Sequence, residues 1–224
     1  MLVLALVFGL LPGFAWLVFY LSEDPHPEPK RLIVLTFFAG IAFGFFTIIL
    51  EQFFNNAATS VGIETLSVLS LLGLAFIEEV MKFGAAYFAV GKSPQLEYPI
   101  DHMIYMIVAA LGFATLENVG AIAGIPPQLA FINAFFTTAS MRFVGATLLH
   151  TLTSGIVGYH WARGLARKKL GRDLTIGFAL ATGLHALFNY LILTYGNIAY
   201  TVVLLIIAGF FVLNDLETLK TKIV

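Results

Sequence analysis

Long apolar runs separated by short polar or proline-bearing stretches dominate the chain. Windows of about 20 apolar residues, the length a helix needs to cross a hydrocarbon core of about 30 Å, recur at residues 2–22, 32–53, 66–90, 102–124, 143–162, 174–194 and 198–214. The breaks between them are chemically distinct: SEDPHPEPKR follows the first run, GKSPQLEYP the third and GIPPQ the fourth. Proline and glycine in such clusters interrupt a helix. Residues 129–141, LAFINAFFTTASM, fit two readings, a helix on the outer surface or an extension of a tilted fifth span. The pattern predicts an all-α, polytopic membrane helical bundle of about seven transmembrane helices, with residues 1–224 forming a single transmembrane domain and no soluble module. Leu2–Tyr20 lacks a basic n-region and runs into further spans, so it reads as a retained first helix.

Composition agrees with a multi-pass protein of the cell membrane surrounded by lipid. Hydrophobic residues make up 59% of the chain and charged ones 11%, against about 45–50% and about 25% in soluble domains. A net charge of -1 argues against nucleic acid as a partner, which calls for a clustered basic surface. The absence of cysteine removes disulfides, thiolate metal sites and cysteine nucleophiles. With seven spans, the connections after spans 1, 3, 5 and 7 share one side. They hold Lys30, Arg31, Lys92, Arg163, Arg167, Lys168, Lys169, Arg172, Lys220 and Lys222, ten of the twelve basic residues, whereas the connections after spans 2, 4 and 6 hold none. The positive-inside rule makes the rich side cytoplasmic, with the amino terminus outside and the carboxyl terminus inside. No internal repeat is visible, which weakens a transporter built from inverted repeats.

The two remaining basic residues, Lys82 and Arg142, lie within or at the edge of spans and keep company with acids and imidazoles. The segments are FIEEVMKF (76–83), FATLEN (113–118), RFVGATLLH (142–150) and HALFN (185–189). An ionised side chain at the bilayer centre costs at least about 2.5–3.5 kcal/mol, so each is a candidate for function. Glu79 is 13 residues from Lys92, Glu117 is 16 from Asp101, His150 is 13 from Arg163, and His185 is 12 from Asp173. At about 1.5 Å per residue these positions share one depth. Glu78, Glu79, Lys82, Glu117, His150 and His185 are therefore expected to form one buried polar site. Glu78 and Lys82 have the spacing and order of a helical ion pair, which leaves Glu79, about 100° around the helix, free to point into a cavity. The bland alternatives are a neutral pair that joins helices, a protonated Glu117 bonded across helices, and histidines that only pack. Glu51 and Glu64 flank an outer loop in this reading and stand outside the site.

Taken in order, Glu78-Glu79-x-x-Lys82, Phe113-x-x-x-Glu117, the helix from Arg142 to His150, and His185-x-x-x-Asn189 resemble the PrsW family of intramembrane proteases. That family shares a superfamily with the type II CAAX prenyl endopeptidases, the bacteriocin-processing membrane proteases and the noncatalytic APH scaffold subunit of gamma-secretase. The motif core covers about residues 70–195. The resemblance implies an endopeptidase acting on a membrane-anchored protein, with site-1 cleavage of an anti-sigma factor as the family's best-studied function.

Peptide hydrolysis needs an activated water, a donor for the oxyanion and a proton for the leaving amine. Under that implication Glu79 is the expected base, its proton affinity raised by burial. Lys82 then holds Glu78, Glu117 and His150 orient water, His185 and Asn189 stabilise the oxyanion, and Arg142 is a supporting residue. This route needs no cofactor. The alternative is zinc held by His150, His185 and Glu117; the absence of an HExxH motif favours the metal-independent route. Two readings of other classes stay open: a noncatalytic scaffold similar to the APH subunit, and an ion- or proton-coupled transporter.

Overall fold

The computed structural model describes residues 2–129, 131–196 and 198–221. Lys222, among the basic residues assigned to the cytoplasmic face, and Ala130, within the segment of two readings, lie outside the described residues. Eight α-helices occur among the described residues, and no strand: α1 (Leu2–Ser22), α2 (Lys30–Ser60), α3 (Val68–Val90), α4 (Pro99–Ala123), α5 (Ile132–Arg142), α6 (Leu148–Ala166), α7 (Leu170–Tyr195) and α8 (Ile198–Thr221). A helix lies at each expected span, but α2 and α8 each run seven residues past the expected end, to Ser60 and Thr221. The protein is an all-α membrane bundle.

Local chemistry explains the helix ends. Ser67 accepts a hydrogen bond from the Ser70 N–H to start α3, as side-chain oxygens do at N-caps. Asp101 accepts from the backbone N–H groups of Glu97 and Tyr98 ahead of α4, with Pro99 at its first position. Gly196, at φ 61°, supplies the left-handed turn that ends α7. Of the segment 129–141, residues 132–141 lie in α5, which runs into α6 through a π-helical turn, Phe143–Thr147, the helical continuity that the second reading expects.

Helix α4 is the central element. In its most apolar window 67% of residues are buried, against 22–33% in α1, α2, α7 and α8, and its neighbours α1, α2, α3 and α6 surround it. Close approach to α2 depends on glycine: a Cβ on Gly112 would collide with the Phe37 carbonyl, and one on Gly40 with the Ala109 carbonyl. Small residues let helix backbones meet in a membrane, where apolar burial supplies little drive. Gly120, by contrast, faces open space. Helices α1, α2, α4, α7 and α8 are long and apolar enough to cross a bilayer. Helices α3 and α6 fall outside that set; α3 carries Glu78, Glu79 and Lys82, and α6 carries His150, Thr151, Thr153, Ser154 and His160.

The α1–α2 loop docks on the first turns of α4. Glu28 accepts a 2.6 Å hydrogen bond from the Tyr105 hydroxyl, and His26 stacks on Tyr98 at 3.8 Å between ring centroids. Burial pushes the Glu28 carboxyl up to about 8 from its ordinary 4.5; the Tyr105 hydroxyl opposes the rise, and the charges of Asp101 and Asp24 add to it. This cluster ties the loop to α4 at the end of the bundle opposite Glu117.

Candidate functional site

On α3, one turn of helix carries two carboxylates and an ammonium that are removed from solvent, and such charges persist in a low-dielectric interior only when paired. Lys82 Nζ donates to Glu79 Oε1 at 2.8 Å and lies 3.5 Å from Glu78 Oε2. The expected Glu78–Lys82 pair is therefore present, but the shorter bond goes to Glu79. Spacings of three and four residues both bring side chains together on a helix. What tips Lys82 toward Glu79 is the setting of that carboxylate: Glu79 is completely enclosed and also bonds His185 from α7. Glu79 thus does not point freely into a cavity. Glu78 keeps a little exposure, 11% for its side chain, and its Oε2 is buried without a hydrogen-bond partner.

The two histidines bridge carboxylates in the same manner. His150 Nε2 lies 3.0 Å from Glu117 Oε2, and its Nδ1 lies 2.6 Å from Lys82 Nζ and 3.9 Å from Glu78 Oε2. His185 Nδ1 lies 2.8 Å from Glu79 Oε1, and its Nε2 lies 3.7 Å from Glu78 Oε2. The rings stand nearly perpendicular, 5.3 Å apart. One nitrogen of each imidazole is engaged by a carboxylate; the other turns toward Glu78 in His185, and in His150 it meets Lys82 first, with Glu78 beyond. One ligand atom from each of Glu78, His150 and His185 falls within 4.8 Å of the others.

Glu117 closes the network on the opposite side. Arg142 donates to Glu117 Oε2 at 2.9 Å and, through Nε, to the Asn118 carboxamide oxygen. The carboxylate expected to need protonation or a partner has an arginine and a histidine. Phe113, one turn before Glu117, lays its ring 5.1 Å beneath the Lys82 ammonium and 5.9 Å from the His150 ring. This geometry gives the Phe113-x-x-x-Glu117 spacing a physical use, since an aromatic face attracts a cation. Side-chain exposure rises from none at Glu79 and Lys82 to 11% at Glu78, 21% at Arg142 and 35% at Glu117. The site opens past Glu117 and Arg142.

Residues 28–214 match the family described as PrsW family intramembrane metalloprotease. The chain belongs to the PrsW family. Among curated relatives, Protease PrsW of Geobacillus kaustophilus is 29% identical over 187 residues, covering 83% of this chain and 78% of the relative. Protease PrsW of Bacillus subtilis is 26% identical over 195 residues, covering 86% and 84%, and that of Oceanobacillus iheyensis is 24% identical over 187 residues, covering 82% and 80%. No solved structure matches the chain significantly. As a PrsW protein it is a membrane protease, and its matched region holds every residue of the network described above.

Two residues of this PrsW site stand differently from the sequence expectation. Asn189, one turn beyond His185, is half-buried, and no hydrogen bond joins it to the network among the described residues. Glu51, read as flanking an outer loop, lies inside α2, which continues to Ser60, and falls within electrostatic reach of Glu78, Glu117, His185 and Lys82. The early end assigned to the second span hid it. A carboxylate in the apolar run FFTIILEQFF was the signal available, because intramembrane acids are costly wherever they occur.

Proposed function

We propose that this chain is an intramembrane endopeptidase that hydrolyses a peptide bond of a membrane-anchored protein at a centre built on Glu78, His150 and His185. The substrate class follows the resemblance, a single-span protein of anti-sigma-factor type. The observation that carries the reading is the convergence of these three donors within 4.8 Å, with each imidazole held from behind by a carboxylate, Glu117 for His150 and Glu79 for His185. Carboxylates behind metal-ligating histidines set the ring orientation and tautomer.

Two histidines and a carboxylate are a donor set suited to catalytic zinc, and the enclosed Glu78 Oε2, which makes no hydrogen bond and already draws the Lys82 ammonium to 3.5 Å, fits a cation. The ligands would then be Glu78, His150 and His185, with Glu78 replacing the Glu117 expected from the sequence. When bound, such an ion polarises the scissile carbonyl and makes water a nucleophile near neutral pH. The protein's own groups do the rest: Glu79 keeps His185 Nδ1 engaged, Glu117 keeps His150 Nε2 engaged, and Arg142 holds Glu117. Glu117, the most exposed carboxylate of the set, sits where the site opens, held between Arg142 and His150. Glu79, completely enclosed, is a holding group in this proposal and not the base.

A second reading rests on one distance. Lys82 Nζ stands 2.6 Å from His150 Nδ1, so an ammonium already occupies the electrostatic position of a cation, and Glu78 can act as a metal-independent base. Elemental analysis of the purified protein and cleavage of a single-span substrate before and after chelation separate the two. Stoichiometric zinc, with activity lost on chelation and restored by zinc, supports the metal centre. Full activity in chelated, metal-free protein supports the glutamate route. No cleavage of any membrane-anchored substrate, with Glu78→Gln indistinguishable from wild type, returns the chain to the scaffold or transporter readings.

A further inference from the structure

The π turn between α5 and α6 changes which side chains share a face. Arg142 and His150 are eight residues apart, and in a regular α-helix their directions would differ by about 80° after two turns. A π turn absorbs one extra residue. The effective separation then becomes about 700°, within about 20° of two full turns. The same count brings Thr147 from about 140° to about 40° from Arg142. The three side chains meet α4 together: Arg142 on Glu117 and Asn118, Thr147 on Asn118, and His150 on Glu117.

Two residues hold the turn in place. Asn118 is completely buried, accepts from Arg142 Nε, and donates from Nδ2 to Thr147 Oγ1 at 3.1 Å and to the Gly9 carbonyl at 3.3 Å. That last bond needs α1 close to α4, and a Cβ on Gly9 would sit 2.6 Å from Val119 Cγ2. Trp16 of α1 donates from its indole N–H to the Phe143 carbonyl at 2.9 Å and stacks on the Phe143 ring at 5.0 Å. A π turn breaks the regular i to i−4 ladder, and a carbonyl left in an apolar setting needs a donor.

We propose that the π turn Phe143–Thr147 is a register device for the site and that Asn118 and Trp16 are its positioning residues, acting through Arg142 on the Glu117 carboxylate that orients His150. The proposal rests on the protease reading for its kinetic consequences but not for its geometry. Neither Asn118 nor Trp16 touches the Glu78, His150 and His185 donors.

A double-mutant cycle tests it. Asn118→Ala and Arg142→Ala each lower kcat for a single-span substrate, by about 10- to 100-fold as for residues behind a catalytic ligand, with KM within about twofold. Residues in one network give non-additive effects, so the double variant falls no further than Arg142→Ala alone. Thr147→Val, which removes only a hydroxyl, gives a smaller loss with the same non-additivity and stands in if Asn118→Ala does not fold. Trp16→Phe keeps a stacking ring and loses one hydrogen bond, lowering kcat about fivefold. Multiplicative losses in the cycle, or a change confined to KM, overturn the proposal. Imidazole 15N resonances of labelled protein give a readout without activity. In Asn118→Ala, Thr147→Val and Arg142→Ala the His150 signal moves and the His185 signal does not, whereas an unmoved His150 overturns the proposal. If wild-type protein cleaves nothing, the protease reading fails, and the His150 signal still decides the register proposal.

Discussion

Glu79 and Glu78 are adjacent in sequence, yet the structure predicts opposite consequences of removing them. Glu79 Oε1 receives Lys82 Nζ and faces His185 Nδ1, each at 2.8 Å, with no solvent contact. Glu79→Ala leaves a buried ammonium and a buried imidazole short of their main partner. Breaking a buried pair from one side costs about 3–5 kcal/mol. The lower end, about 3 kcal/mol, applies because Lys82 retains Glu78 at 3.5 Å. For a chain of this size that is a fall in Tm of about 6–12 °C. Glu78→Ala removes a carboxylate that is only the longer of Lys82's two contacts, at 3.5 Å, and whose Oε2 has no hydrogen bond, so its stability cost is the smaller of the two, about 1–2 kcal/mol. Activity runs the other way: Glu78→Ala loses at least about 100-fold, as for a group acting directly in the chemistry, while Glu79→Ala loses about 10- to 100-fold through a misoriented His185. Thermal unfolding in detergent, followed by the fluorescence of Trp16 and Trp161, gives the first quantity, and cleavage of a single-span substrate gives the second. A stable, inactive Glu79→Ala beside a destabilised, active Glu78→Ala would refute the division of roles.

The Glu28 carboxyl, raised by burial to about 8 from 4.5, favours folding when protonated, so its contribution is complete below about pH 4.5 and disappears as the pH rises through 8. Melting temperature should fall across that window in wild type and fall less in Glu28→Gln; parallel curves would dismiss the loop clamp as a titrating element. Gly112→Val forces α2 away from α4, where a Cβ meets the Phe37 carbonyl, and should cost about 2 kcal/mol or more by overpacking, whereas Gly120→Ala, facing open space, should leave the melting temperature within about 2 °C of wild type or above it. Tags at the two termini should report opposite sides of the membrane, the carboxyl end cytoplasmic, from the ten-to-none distribution of basic residues; both on one side would remove a span.

Most of the fold was legible because the bilayer imposes one length scale. A helix of about 20 apolar residues is the unit, and Pro-Gly breaks mark its ends. What escaped was the longer reach of α2, which carries the second span past residue 53 to Ser60, because polar residues after the apolar run read as a loop although nothing in them breaks a helix. The π turn escaped as well. RFVGATLLH has the composition of an ordinary helix, and the signal for the turn lies in what surrounds it: a tryptophan from α1 for its carbonyl and an asparagine from α4 for its side chains.

The site was legible in depth and illegible in direction. Counting residues from each polar boundary put Glu79, Glu117, His150 and His185 at one level, and in the structure hydrogen bonds through Lys82 and between carboxylates and imidazoles link them. Depth depends on helical rise alone, a local property. Direction depends on the partner helix, and for Glu78 and Glu79 the local geometry is degenerate, since Lys82 is four residues from one and three from the other. The residue that breaks the tie is His185, which lies 106 positions away. Once His185 engages Glu79, Lys82 can satisfy its charge most closely on the same oxygen, and Glu78 is left with an oxygen between two imidazoles that makes no hydrogen bond and holds Lys82 only at 3.5 Å. The side chain that the helix alone marked as the tied one is the one left exposed to chemistry.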